Sequence, residues 1–213
     1  MKKYLYCLLL SGSLLPLASC GGSSAPKEEE KPDNPLEALQ KVGEEMKGGT
    51  DEAQQKMEER RKKGDTLVMK YEELMKFLPS EVSGYKRGEP DGASVNAMGS
   101  SFSNAEVRFE KENGDYVKVV IVDYNQAYSL YSSAAMAWTM GFSVDSPEEK
   151  ANSVKLDNNI AGWEVYKKKS KDANITLGAG YRFWINVEAN NQADTEFVKS
   201  VAKSIDLGKL ASM

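Results

Sequence analysis

The stretch AEVRFEKENGDYVKVVIVD, residues 105–123, constrains the fold more than any other part of this chain. Ala105, Val107 and Phe109 alternate with Glu106, Arg108 and Glu110, the period-two pattern of a strand with one apolar and one wet face. Asn113-Gly114 supplies the residue pair favoured in a two-residue type I′ hairpin, where both positions need positive φ. The return strand is almost continuously β-branched, which predicts a central strand covered on both faces. An isolated hairpin is at best marginal in water, so the rest of the chain must complete a sheet around this one.

The flanking segments read as that completion. Over residues 126–141, Leu130, Ala134 and Trp138 form one helical line and Ala127, Tyr131 and Ala135 its neighbour, with Gly141 as the stop. Further strands are expected at 153–156 with 160–168, at 174–179 and at 182–188. A last amphipathic helix over 193–205 puts Phe197, Val201 and Ile205 on one side, beside Val198 and Ala202. Upstream, residues 66–69 form a strand candidate and 70–79 a helix with Tyr71, Leu74 and Leu78 on one face. Short strands are expected near 84–87 and 95–102, around a Gly/Pro/Asp-rich turn at 88–92. The reading is a single α+β domain over residues 65–213, an antiparallel sheet of about six to seven strands flanked by helices. This element order resembles that of the PsbP/Mog1-like family: a hydrophobic strand, a long helix, a G-x-x-x-Y strand (Gly162 to Tyr166), a strand pair and a terminal helix. The resemblance implies a curved antiparallel sheet and a binding or assembly role, although a fold alone does not transmit function.

The first twenty residues carry an address. Lys2 and Lys3 precede an apolar run, Leu5 to Leu10 with Leu14, Leu15 and Leu17, broken by Ser11, Gly12, Ser13 and Pro16. The run is too short and interrupted to span a bilayer, so residues 1–19 read as a secretory signal peptide. Leu17-Ala18-Ser19-Cys20 resembles the bacterial lipobox, which implies that Cys20 receives a diacylglyceryl group and becomes the first residue after cleavage. Gly21 is not the aspartate that retains such lipoproteins in the inner membrane of enterobacteria, so the resemblance favours the outer membrane. Lys27-Glu28-Glu29-Glu30 looks like the acidic surface-export signals of some Bacteroidetes lipoproteins, or simply a charged tether; the periplasmic or surface side stays open.

Residues 20–33 are rich in Gly, Ser, Pro and charge and read as a lipidated disordered tether. Asn34-Pro35 looks like the start of a helix carrying Leu36, Leu39, Val42 and Met46, ended by Gly48-Gly49. Thr50 could cap a second helix through Lys63, stopped by Gly64. That second helix has only Ala53 and Met57 as apolar members, so residues 34–64 read as mostly exposed helices and linker.

Composition excludes several chemistries. The chain contains no histidine, which removes the commonest general base and transition-metal ligand. Cys7 leaves with the signal and Cys20 is lipidated, so no disulfide and no free thiol remain. Loss of Lys2 and Lys3 from the 28 basic side chains leaves 26 against 32 acidic, a net charge of −6 that argues against nucleic acid as a partner. No cofactor and no metal are implied.

Candidate ligand-binding residues are Asp123, Tyr124 and Tyr128. Asp123 ends the central strand, where its carboxylate either caps the next helix or faces a ligand at the sheet's rim. Tyr124 and Tyr128 could stack a sugar ring. Gly178-Ala179-Gly180 reads as a hairpin bend rather than a phosphate loop, because an aromatic strand follows it. Glu106, Glu110, Glu164 and Glu188 read as solvated charges on polar strand faces. Asp65-Thr66-Leu67 fits the short pattern that resembles the O-glycosylation sequon of Bacteroidetes. The functional expectation is a membrane-anchored envelope lipoprotein presenting a non-catalytic binding or scaffolding domain to an envelope protein or a glycan. A histidine-free carboxylate hydrolase and a purely structural envelope lipoprotein are the alternatives.

Overall fold

The computed structural model describes residues 51–97, 100–125, 143–157 and 160–213, with Tyr131 and Gly141 between them. The signal peptide, the lipobox, the tether and the first expected helix lie outside the described residues. So does the helix expected over 126–141, except for two residues. Tyr131 is helical and buried, and Gly141 has φ +59°, suited to the expected stop.

Nine strands form one antiparallel sheet: β1 (Lys86–Arg87), β2 (Asp91–Ala97), β3 (Ser100–Glu110), β4 (Tyr116–Asp123), β5 (Ser143–Asp145), β6 (Glu149–Asp157), β7 (Ile160–Lys167), β8 (Asp172–Ala179) and β9 (Phe183–Ala189). Their order is β1-β3-β4-β9-β8-β7-β6-β5, with β2 beside β1 on the same edge of β3. The strand count exceeds the expected six to seven, and the described residues are mostly β with few and short helices. Apart from the helical Tyr131, the helices among the described residues are α1 (residues 51–62), α2 (Tyr71–Leu74, continued by a 3-10 turn Met75–Phe77), α3 (Glu196–Lys203) and α4 (Leu207–Ala211).

The alternation at 105–123 does what it predicts. Val117, Val119, Ile121 and Asp123 point to one buried face of β4, while Tyr116, Lys118, Val120 and Val122 are half-exposed on the other. β4 is central, between β3 and β9. The expectation of full cover on both faces is corrected to one buried and one half-exposed face. The same alternation runs through β9, where Phe183, Ile185, Val187 and Ala189 are buried. Phe109, Phe183, Ile121, Ile175, Leu177 and Ile185 meet Leu74 of α2 and Leu210 of α4 in one core. Burying each such side chain is worth about 1.5–3 kcal/mol.

The hairpin turn differs from the expected one. Gly114 has φ +87° but Asn113 is not left-handed, and Lys111 N–H donates to the Asp115 carbonyl at 2.8 Å. This is a three-residue loop, Glu112 to Gly114, in which only the glycine needs positive φ. The type I′ turn occurs elsewhere, between β8 and β9. There Gly180 (φ +60°) and Tyr181 (φ +54°) are both left-handed, and Arg182 N–H donates to the Ala179 carbonyl at 3.2 Å. Gly178-Ala179-Gly180 is therefore a hairpin bend, as expected. A side chain at Gly180 would also stand 2.7 Å from the Ala211 carbonyl oxygen of α4.

Other boundaries moved for identifiable reasons. Residues 66–69 are not a strand; side chains of the sheet take up the Met69 backbone groups in place of a ladder. Residues 95–102 straddle β2 and β3 rather than forming one strand, and Asp91 and Gly92, read as turn, begin β2. β5 and α4 carry too few residues to show a period.

Candidate functional site

The most elaborated polar site in the described residues lies where β4 ends and the β8–β9 hairpin turns back. Asp123 is wholly buried and Arg182 is 4% exposed. They meet side by side: Arg182 Nε donates to Asp123 Oδ1 at 2.9 Å and Nη2 to Oδ2 at 2.7 Å. The remaining guanidinium nitrogen, Nη1, donates to Asp65 Oδ2 at 2.7 Å. Asp123 Oδ1 also accepts Asn125 N–H at 2.9 Å, and Oδ2 accepts Met69 N–H at 2.7 Å. All four acceptor sites of the carboxylate are thus occupied within the protein.

Arg60 of α1 docks onto the same cluster and is 6% exposed. Its Nε donates to Asn125 Oδ1 at 3.1 Å, Nη1 to the Gly180 carbonyl at 3.1 Å and Nη2 to the Tyr181 carbonyl at 3.4 Å. The guanidinium therefore grips both carbonyls of the type I′ turn. Asn125 Nδ2 closes the loop by donating to the Leu67 carbonyl at 3.0 Å, and Ser103 Oγ donates to the Met69 carbonyl at 2.6 Å. Residues 51–69 are in this way strapped across the end of the sheet by hydrogen bonds. Glu52 extends the strap by accepting from the Tyr181 hydroxyl at 2.9 Å.

The electrostatics of the two arginines differ. Burial alone lowers the Arg182 pKa, but the hydrogen bonds and charges of Asp123 and Asp65 outweigh it and hold the value above the usual one. Arg60 is lowered, first by burial and then by the neighbouring Arg182 charge, against a partial pull from Asp65 and Asp123. Among the described residues, Arg60 hydrogen-bonds uncharged acceptors, whereas Arg182 has two carboxylates. A buried pair of this kind adds little net stability over an apolar pair, but losing one partner strands the other charge.

Beside the strap lies a depression of about 560 Å³ between α1 and α4, lined by Lys56, Arg60, Lys63, Ile160, Ala211 and Met213 among others. Its walls mix basic and apolar side chains with the acidic Glu59 and Asp65.

Of the sequence-predicted residues, Asp123 and Tyr124 fall among the described ones. Asp123 is locked into the ion pair and caps the turn through Asn125 N–H, so its carboxylate does not face a ligand at the rim. Tyr124 is half-buried on the other side, its ring 6.4 Å from Phe102 at 30°, and burial raises its phenol pKa. Tyr128 lies outside the described residues. Glu106 pairs with Lys118 at 3.0 Å and Glu110 with Arg108, in keeping with solvated strand faces. Glu164 breaks that reading: it lies on the buried face of β7. There it accepts from Thr195 Oγ1 at 2.8 Å and pairs with Lys199 Nζ at 3.2 Å. Burial lowers the Lys199 pKa, but hydrogen bonds to Glu196 and Glu164 outweigh that and raise it.

Arg60, Asn125, Ser103 and Arg182 were not singled out from the sequence. Arg182 stands 59 residues from Asp123, and no local spacing marks such a pair. Among the described residues, no group of three or more Cys, Asp or Glu side chains is placed to hold a metal ion, and no helix is long and apolar enough to cross a membrane. No protein-family model matches the chain, and no curated protein matches it.

Proposed function

We propose that this chain is a lipid-anchored envelope lipoprotein whose sheet domain binds or scaffolds an envelope protein or a glycan rather than catalysing a reaction. The observation that carries the reading is the order at the N-terminus: Lys2 and Lys3, an interrupted apolar run, then Leu17-Ala18-Ser19-Cys20. Two or more acyl chains on Cys20 would hold the domain stably at a membrane, where one would hold it only marginally. Gly21 favours the outer membrane. The domain supports the non-catalytic half of the reading through its buried carboxylates, Asp123 and Glu164, which are engaged by internal partners.

The finer fold reading belongs to the same proposal. Helices α3 and α4 and the meander β6–β9 support an α+β, PsbP/Mog1-like arrangement. The folded unit takes in α1, whose Ala53 and Arg60 are buried. Replacement Cys20→Ser tests the anchor. It should abolish incorporation of labelled palmitate and leave an unprocessed or soluble chain; labelling that persists in the variant contradicts the reading.

A further inference from the structure

The two edges of the sheet are guarded very differently. An open edge strand presents unpaired N–H and C=O groups, and proteins blunt it with short strands, charge or proline. On the β5 edge, β5 is three residues long and carries Asp145 in an ion pair with Lys168, and the part of β6 beyond its pairing, residues 153–157, includes the charged Lys155 and Asp157. On the other edge, β1 is two residues of charge, Lys86 and Arg87, followed by Gly88, Glu89 and Pro90. β2 has none of these devices after its first residue. From Gly92 to Ala97 it reads GASVNA, with no charge and no proline. Ala93, Ser94 and Asn96 are exposed, and among the described residues β2 pairs with β3 alone.

We infer that β2 is an isologous docking edge for a second copy of this chain, joining two sheets by antiparallel β2–β2 pairing about a two-fold axis at Ser94. The self-complementarity is in the register. Antiparallel pairing centred on Ser94 sets Ser94 opposite Ser94 of the second copy, Ala93 opposite Val95 and Gly92 opposite Asn96. The strand's single charge, Asp91, meets position 97 rather than another carboxylate, so no like charges face one another. The facing residues are small and the contact closes on itself, as an isologous interface does, instead of propagating a filament. Pairing of β2 with the β5 edge would be heterologous and would bring Asp145 and Lys168 into the seam. The inference does not depend on the lipid anchor. A seven-residue edge falls at the small end of interface sizes, so the dimer is reversible.

The full chain in detergent solution tests this by oxidative cross-linking and sedimentation. Directly opposite residues lie within disulfide reach, whereas diagonal ones about 7–8 Å apart do not. Ser94→Cys should cross-link to itself about tenfold above the parent chain and above Asp145→Cys on the other edge. Ala93→Cys alone should stay near background, and a mixture of Ala93→Cys and Val95→Cys chains should recover the yield. That mixture reads the same register without touching Ser94, whose hydroxyl accepts from Tyr71 N–H. Ala93→Lys, at an exposed position, should return the chain to monomer. The inference is overturned by a monomer at every concentration with no Ser94→Cys cross-link. It is equally overturned by equal yield from Asp145→Cys, by a dimer that survives Ala93→Lys, or by capture of an unrelated polypeptide at Ser94→Cys.

Discussion

Helices α1 and α3 both lie against the same sheet, yet different forces hold them. On α3, Val198, Val201 and Ala202 are buried, Ile205 follows, and the bed beneath is the apolar face of β8 and β9. On α1, Ala53 is buried, Met57 is half-buried, and the third inward residue is Arg60, which holds turn carbonyls rather than apolar side chains. Both follow a three- to four-residue spacing. Apolar burial under α3 contributes about 1.5–3 kcal/mol per side chain. The polar contacts of α1 are largely offset by the desolvation of a cation with uncharged acceptors. A strap with little apolar cover and exposed backbone should open locally long before the core does.

The largest effect expected is at the Asp123–Arg182 ion pair beside α1. Asp123→Ala should lower stability in chemical denaturation by about 3–5 kcal/mol, because buried Arg182 loses its two-point partner and keeps only the partly exposed Asp65. The double replacement Asp123→Leu/Arg182→Met should recover most of that loss. If the single variant loses under about 1 kcal/mol, the pair is not the keystone at this end of the sheet and the comparison fails.

A second pair of variants sharpens the contrast. Phe183→Ala, in the bed shared by β9 and the helices, should lower global stability by about 3–5 kcal/mol. Arg60→Met, which keeps the side chain's length, should lower it by only about 1 kcal/mol. Equal losses would mean that α1 is as integral to the cooperative unit as α3. The smallest effect is a titration. Tyr124 is raised by burial, so the neutral phenol is favoured in the folded state. Its contribution is complete below the ordinary tyrosine pKa of about 10 and is lost as pH rises through the folded value. Phenolate absorbance should show late-ionising tyrosine, and Tyr124→Phe should remove part of it, leaving Tyr71, which its hydrogen bond with Glu72 also raises.

What the chain announces in its sequence follows the same division. The β3–β4 alternation and the spacing of Val198, Val201, Ala202 and Ile205 are legible because apolar burial leaves a periodic trace. The stop at Gly64 is legible too, and its φ of +79° shows why glycine stands there. The strap is not legible. Its third inward residue is an arginine, which a search for apolar stripes counts as solvent-facing, and the groups it holds are backbone carbonyls more than a hundred residues away. Residues 66–69 look like a strand by composition. Asp123 and Ser103 replace the ladder at Met69, so the segment stays irregular and Leu67 is left 72% exposed. Glu164 reads as solvated because its neighbours alternate, and the alternation cannot say which face is inside when a lysine and a threonine come from α3 and its N-terminus to meet it. Asp123 stands out at the end of its strand, but its role depends on a partner from another hairpin.

Native-state hydrogen exchange followed peptide by peptide in the full chain tests the central claim most directly. The account predicts that amides of residues 51–62 exchange at least about a hundredfold faster than those of 196–203 and of β4 and β9, through a local opening that Arg60→Met speeds further without altering exchange in β9. Protection of residues 51–62 equal to that of β4, and falling together with it in Arg60→Met, would contradict it.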